Sequence, residues 1–522
     1  MKSYIIVAAA ALTSVAAATE GAPAAPSLMY GNTSHLLGAN SSGIPPCDAL
    51  TDAGLGDRLL FATDADYEPQ IATWWAENAR KRPYCLVMPQ SSEEVSTALT
   101  ALVNVNDGAG DWHIAVRSGG HSSTGSSSIA NGVIIDLSNM NTSTYDAEAN
   151  VAKIQPGARW NKAYAELDKE GVTVAGGRDG GVGVGGFLLG GGISYYSGRM
   201  GFGCDTVVNF EVVLADGAIV NANETANADL WRALKGGGSN FGIVTRYDME
   251  AIPAQDLYYD SRLLSSVYSD AVVDAAVGFA DQDQSLADNH LITFFSHDTS
   301  TSPDIHAATI YVNTQGNGSV ETAFDKVQDL PALYNTTVVQ SMAEAANGSQ
   351  VAAGSRAAGA TLLFRSDPQI LRRAAEIHAE FVESLKGFMT ADEFVTMWFF
   401  QPIPSYMSAI SQQRGGDMLG LDEVRQNAIM WTGGAWVNTD DAAFARAQAE
   451  LGKATARVKE ASRSMNGDID FIYLNYADAS QDSLGSYGPA NVEHMREVAA
   501  RYDPTEVFQL RVPGGFKISS VA

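Results

Sequence analysis

Three glycine clusters set what this chain can build. The first is Arg117-Ser118-Gly119-Gly120-His121-Ser122, which follows the apolar run Trp112-His113-Ile114-Ala115-Val116. That run reads as a strand. A strand running into Gly-Gly lets the backbone turn tightly and brings its N–H groups close to a ligand. Successive exposed N–H groups form an anion nest suited to a pyrophosphate. His121 then places a nucleophilic imidazole beside that nest.

The second cluster runs from Gly176 to Gly192, after a short strand Val172–Ala175. Within it Gly181, Gly183 and Gly186 fit G-x-G-x-x-G, and Asp205 follows at about the distance of a ribose-binding acid, so an NAD(P)-dependent reductase is formally allowed. Against that reading, no βαβ repeat surrounds the motif, and the glycines outnumber what one dinucleotide turn needs. A backbone laid flat against a ring system and a phosphate chain is the alternative. The third cluster is Gly236-Gly237-Gly238, leading to Gly242-Ile243-Val244.

Together these words resemble the berberine-bridge-enzyme-like oxidases of the vanillyl-alcohol-oxidase/PCMH superfamily. So do Tyr473-Leu474-Asn475-Tyr476 and the C-terminal Pro513-Gly514-Gly515-Phe516-Lys517. The resemblance spans roughly Pro83 to Lys517. It implies a two-domain α+β fold: a PCMH/VAO-type FAD-binding domain plus an α+β substrate domain, with an antiparallel sheet backed by helices. It implies FAD bonded through its 8α carbon to His121. Cofactor contacts are then expected from Arg117, Ser118, Gly119, Gly120, His121 and Ser122 in the first loop. Gly177, Gly181, Gly183, Gly185, Gly186, Gly191 and Gly192 are expected to wall the ring. Gly242, Ile243, Val244, Asn475 and Tyr476 complete the set. Tyr473 matches the family tyrosine that hydrogen-bonds the reacting hydroxyl and is the expected base, although a free phenol titrates near 10 and needs help.

The chain departs from the family at two places. Many members hold FAD by a second bond, from a cysteine in a Cys-Pro-Thr-Val word; here those positions read Asp179-Gly180-Gly181-Val182. A single link is therefore expected, with a smaller or more enclosed substrate. Sugar-oxidising relatives carry a carboxylate on a substrate-domain strand. The comparable run Phe394–Gln401 has none, with Glu393 at its edge and Gln401 at its end. Trp398, Phe399 and Phe400 read as core. Gly183 falls where oxidases of the family keep a small residue near the ring, which favours O2 as electron acceptor and H2O2 as product. A flavin-dependent oxidative cyclisation of a natural product is the alternative, and a non-catalytic binding module is the remaining one.

Length and composition bound the rest. A chain of 522 residues is too long for one core. The expected organisation is a signal peptide over 1–18, a loosely ordered arm over 19–78, an FAD-binding domain over 79–255 and a substrate domain over 256–470. Residues 471–522 form a C-terminal element that returns to the FAD domain. Lys2 followed by a short apolar run and Ala16-Ala17-Ala18 has the signal-peptide pattern. Seven sequons, at Asn32, Asn40, Asn141, Asn223, Asn317, Asn335 and Asn347, fit a secreted glycoprotein. A formal charge of −27 repels phosphate backbones and anionic lipid, so neither nucleic acid nor membrane is expected as partner. The expected partners are a small-molecule substrate and O2, and the expected state is a monomer. Eight scattered histidines show no metal-binding spacing, and no metal is expected. Of three cysteines, Cys47 and Cys85 can pair in an oxidising compartment. Secreted fungal relatives have matching cysteines that do so. Cys204 reads as a small buried residue.

Overall fold

The computed structural model describes residues 41–104 and 112–521. The expected signal segment, the first part of the arm, and the sequons at Asn32 and Asn40 lie outside them. Order begins earlier than the composition suggested. Pro45–Leu50 is already helical, with proline in its first turn where a missing N–H costs nothing. Cys47 is fully buried and bonded to Cys85. Leu59–Leu60 pairs antiparallel with Leu86–Val87, so the arm is part of the first domain.

That domain has two main sheets and a two-stranded ladder, Val172–Thr173 with Ile252–Pro253. In the first, Cys85–Val87, Gly132–Asp136 and His113–Arg117 run parallel in that spatial order. Their side chains alternate between two cores. Cys85, Val87, Ile114, Val133 and Ile135 meet Val95, Leu99 and Leu102 of the helix Ser92–Asn104. Leu86, Ala115 and Ile134 meet Tyr67 and Trp74. Ser91 caps that helix, its Oγ accepting from Glu94 N at 3.3 Å. No capping box closes: the Glu94 carboxylate accepts from Gln90 N and pairs with Arg58 instead. The second sheet is antiparallel and five-stranded, in the order Ser143–Asp146, Val151–Ile154, Ile243–Glu250, Val207–Val213, Ile219–Asn223. The last two strands form the hairpin expected from Asp216-Gly217.

The second domain is an eight-stranded, wholly antiparallel sheet. The helices Ser269–Ala280, Pro368–Lys386 and Asp441–Ser464 cover one face, as expected. Along the strand Phe394–Ile403, Trp398 and Phe400 point into the helix-covered core, while Met397 and Phe399 turn to the other face. Phe399 is thus not core in the sense its neighbours are. Leu257–Ser265, Ala332–Gln340, Arg356–Arg365 and the short Asp468–Ile469 complete the sheet beside Asn289–Asp298, Ser302–Asn313, Phe394–Ile403 and Ala428–Val437. The strand at Ala435–Val437 in fact starts at Ala428 and passes through Gly433-Gly434. A Cβ on Gly433 would lie 2.7 Å from the Trp431 ring and 3.1 Å from Trp398 Nε1, so glycine there admits indoles rather than breaking the strand. Between the strands Ser302–Asn313 and Ala332–Gln340 the helix is a single turn, Asp325–Gln328.

The C-terminal segment crosses back to the first domain. Tyr502 and Arg501 of the helix Pro489–Tyr502 bond Asp229, and Ile518 N and the Gln509 side chain bond Asn240. Opening the Cys47–Cys85 link, which spans 38 residues, with Cys47→Ala should lower the unfolding free energy of the first domain by about 4 kcal/mol in the chain-entropy model. A denaturant titration with and without reductant measures it, and reductant should leave the variant unchanged.

Candidate functional site

The first glycine word leaves the strand His113–Arg117 and is held from both sides. Arg117 does not face the turn. Its guanidinium pairs with Asp136 at 2.8 Å, donates to Thr73 Oγ1 at 2.6 Å and lies 3.9 Å over Trp74. It is a buried support rather than a cofactor contact. Ser118 Oγ donates to Pro156 O and accepts from Gly185 N at 3.1 Å, tying the first word to the second. Gly119 then packs directly on Gly183, where a Cβ on either would overlap the other's backbone. Gly183 therefore serves loop packing. Gly120 takes φ +67°, and its carbonyl accepts from Trp75 N at 3.0 Å. Ser122 Oγ bonds Thr124 Oγ1, closing the turn.

His121 sits at the end of this loop, stacked on Trp75 with ring centroids 4.5 Å apart. Its Nε2 is buried without a hydrogen-bond partner, 3.8 Å from Asp179 Oδ2. Burial, with the Arg159 guanidinium nearby, lowers its pKa to about 3. At neutral pH the imidazole is thus the free base, the nucleophilic form. Burial raises the Asp179 pKa to about 6, although Val351 N and Gly181 N both donate to its carboxylate. Arg159 donates to the carbonyls of Gly119 and Gly181 and so clamps the two glycine words together. A flavin held through histidine needs an uncharged ring nitrogen without a protein partner beside bare backbone. His121 and Gly119–Gly120 supply both, and the residues fit the group.

The remaining glycines divide by what they touch. Gly177 lies against Trp160, and its carbonyl accepts from Tyr164. Gly185 would meet Ser118 and Tyr247. A Cβ on Gly186 would meet nothing within 4 Å. Gly191 and Gly192 have φ of +109° and +93° and pack on Tyr473 and Phe187. Gly242, Ile243 and Val244 open a strand of the five-stranded sheet; Ile243 and Val244 point into cores, and a Cβ on Gly242 would overlap Val212. Beyond His121, a cavity of about 310 Å³ lies between the loop Thr124–Ser126 and the C-terminal Pro513–Phe516.

The structure redistributes the expected chemistry among the C-terminal residues. The Tyr473 hydroxyl is enclosed, accepting from Gly192 N at 2.7 Å and from Asn475 Nδ2 at 3.2 Å. Tyr473 is 1% exposed, and burial pushes its phenol well above 10. It anchors the strap to the glycine wall and does not present a base. Asn475 extends the anchor, donating to Phe187 O at 3.0 Å. Tyr476, half-buried, faces the cleft between the domains, where its oxygen accepts from Arg178 Nη2 at 3.0 Å. Arg178 Nη1 also contacts His290 Nε2 at 3.0 Å and Gln401 Oε1 at 2.5 Å. A guanidinium only donates, so His290 Nε2 is the lone-pair nitrogen and its proton sits on Nδ1. Burial first, and then Arg178, hold the His290 pKa well below 6.5. Phe399 closes one side, edge-on to Tyr476 at 5.4 Å. Arg178, His290 and Arg159 carry no motif signal; only folding brings Arg178 and His290 together with Gln401, and Arg159 between the two glycine loops.

The dinucleotide-reductase reading fails here. The strand before the motif is two residues long and pairs antiparallel, and the helix after it has six residues. Asp205 is buried, accepting from Phe202 N and Ser411 beside Asp417, and cannot meet a ribose. Cys204, next to it, is a buried free thiol whose pKa burial pushes up.

An FAD binding domain model matches residues 83–223. FAD-dependent monooxygenase drtC of Aspergillus calidoustus is 33% identical over 478 residues, covering 91% of this chain and 90% of that protein. FAD-dependent monooxygenase sdcF of Emericella nidulans is 34% identical, covering 90% and 98%. Among solved structures, the glucooligosaccharide oxidase of Acremonium strictum superposes with a TM-score of 0.72 at 19% identity, over 91% of this chain and 99% of that one. Its structure is described as holding a 6-S-cysteinyl, 8α-N1-histidyl FAD. BBE-like 1 of Physcomitrella patens superposes with a TM-score of 0.71 at 17% identity, over 89% and 97%.

Gly183→Ala should force the two loops apart and cost about 1–3 kcal/mol of stability. Gly186→Ala should leave the melting temperature of the protein unchanged. Calorimetry of both variants checks the contrast.

Proposed function

This chain belongs to the berberine-bridge-enzyme-like FAD-linked oxidoreductases, and on that premise we propose that it oxidises a C–H bond of a small hydroxylated metabolite with FAD linked only through His121. The observation that carries the reading is His121: a neutral, half-buried imidazole whose buried Nε2 has no partner, at the mouth of a bare-backbone loop. Asp179, 3.8 Å from that nitrogen, occupies the position where doubly linked relatives carry cysteine, which supports a single link. Bound FAD supplies the hydride acceptor, and its electrons pass to O2 to give H2O2.

The protein's own part is positioning and proton management. The backbone of Gly119–Ser122 would hold the diphosphate of bound FAD, and Trp75 fixes the imidazole plane. Arg178 donates to the Tyr476 oxygen, which leaves the phenolic O–H directed into the cleft, where it donates to negative charge developing on the substrate oxygen as the hydroxyl proton of the substrate passes to solvent. Gln401, in place of a carboxylate, holds Arg178 without neutralising it. Phe399 and Phe294 supply an apolar wall, which suits an aromatic or polycyclic skeleton better than a sugar. Sequons at Asn141, Asn317, Asn335 and Asn347, on the described surface or half-exposed, and the buried disulfide support secretion as a monomeric glycoprotein.

The names of the relatives favour a second reading, in which one oxygen atom of O2 enters the product. Labelled O2 separates the two: the oxidase reading expects no label in the product and one H2O2 per turnover.

Acid precipitation should leave the yellow colour in the protein pellet, and His121→Ala should release it to the supernatant. Colour in the supernatant of the native protein would end the covalent reading. Tyr476→Phe should lower kcat about a hundred- to thousandfold. Tyr473→Phe should instead cost about 1–3 kcal/mol of stability, by leaving the Gly192 N–H unpaired, with a much smaller loss of rate. Steady-state kinetics and melting curves on the two variants distinguish the roles.

A further inference from the structure

The cleft holds a cation that the protein does not neutralise. Arg178 is half-buried, and each of its partners, Gln401 Oε1, His290 Nε2 and Tyr476 Oη, is an uncharged acceptor. It makes no ion pair among the described residues. Some half-buried arginines are paired, Arg246 with Glu211 and Asp248 and Arg356 with Glu77 and Asp441, while others such as Arg80, Arg159 and Arg232 bond only neutral oxygens, and Arg178 belongs with these. Asp179, its sequence neighbour, is turned away to Val351 N and Gly181 N. The remaining ionisable groups that sense Arg178, Tyr195 and Tyr259, are buried phenols whose pKa values burial raises, so they stay neutral.

A guanidinium cannot shed its proton in a protein. Three of its five N–H groups are used by the partners above, and Nε–H and one Nη2–H remain for a ligand. The strongest partner for two free donors on one charged edge is an oxyanion, since charge-assisted bonds are about twice as strong as neutral ones. A fixed local cation is also what an anion needs on a protein of net charge −27. The rings of Tyr476, Phe399 and Phe294 lead away from this charge in a chain, with centroids 5.4 and 5.9 Å apart.

We infer that Arg178 is a specificity-determining residue, and that the substrate is an aromatic or conjugated hydroxy compound bound with its acidic oxygen as an anion on Arg178. The inference rests on the oxidoreductase reading above and names the substrate class for the same cleft. It also explains the uncharged state of the surroundings. A carboxylate at position 401, or a charged His290, would compete for Arg178 or repel it. Gln401 and a neutral His290 orient the guanidinium by hydrogen bonds and leave its charge to the ligand.

The test uses the flavin-loaded enzyme with 4-nitrophenol as ionisable probe and 4-nitroanisole as its non-ionisable counterpart, each titrated against the flavin absorbance from pH 5 to 9. Wild type should bind nitrophenol about ten- to a hundredfold more tightly than nitroanisole once the phenol is ionised. The bound probe should show the phenolate band at pH values where the free probe is still protonated. Arg178→Gln should abolish both differences, and Arg178→Lys should keep most of the preference. Equal binding of the two probes across the pH range overturns the inference. So does an Arg178→Gln variant with undiminished nitrophenol affinity, or one that changes only the flavin potential, since the charge would then serve the ring. If both variants fail to load flavin, the wild-type comparison still decides. An absence of flavin in the native protein would instead strike at the function proposed above.

Discussion

Two glycines carry the architecture of the site. Gly119 and Gly183 touch backbone to backbone, closer than any side chain allows, and the contact joins loops that leave different sheets. Around it, the Ser118 hydroxyl and the Arg159 guanidinium bond both loops. The positions of His121 on one side and Arg178 on the other follow from this junction. Precision comes here from the absence of Cβ atoms: two peptide planes in contact have few soft degrees of freedom to relax along.

The interdomain cleft is built on the alternation of one strand. Along Phe394–Ile403, alternate side chains enter the helix-covered core, and those between face the first domain. Trp398 and Phe400 thereby fix the strand, and Phe399 becomes a wall of the cleft. Gln401 then meets Arg178 from the other domain. The C-terminal strap completes the enclosure, with Tyr473 and Asn475 bonded into the glycine wall and Tyr476, the next residue, turned the other way. A buried anchor and a hydroxyl bonded to Arg178 thus lie within one four-residue word.

Much of this was legible beforehand. The glycine words, His121, the missing cysteine at position 179 and the missing carboxylate on the substrate-domain strand are local facts, and they pointed to a flavin oxidoreductase of a particular family. The cysteine pair, the helix Pro368–Lys386 and the hairpin at Asp216-Gly217 follow from equally local signals. What misled were residues whose role depends on direction. Arg117 belongs to the loop motif but points backward to Asp136. Tyr473 matches a reactive position but is enclosed. Gly433-Gly434 looks like a break, yet lies inside a ten-residue strand because two indoles need the space.

The sequence by itself determined the class of chemistry, because backbone turns without side chains and a nucleophilic imidazole are encoded within six consecutive residues. Only the tertiary structure decided which groups act in the cleft. Arg178, His290, Gln401 and Tyr476 come from segments up to 298 residues apart. Whether a phenol is a buried strut or a donor in the cleft, and whether an arginine's charge is spent or free, depends on partners that chain order does not bring together and packing does.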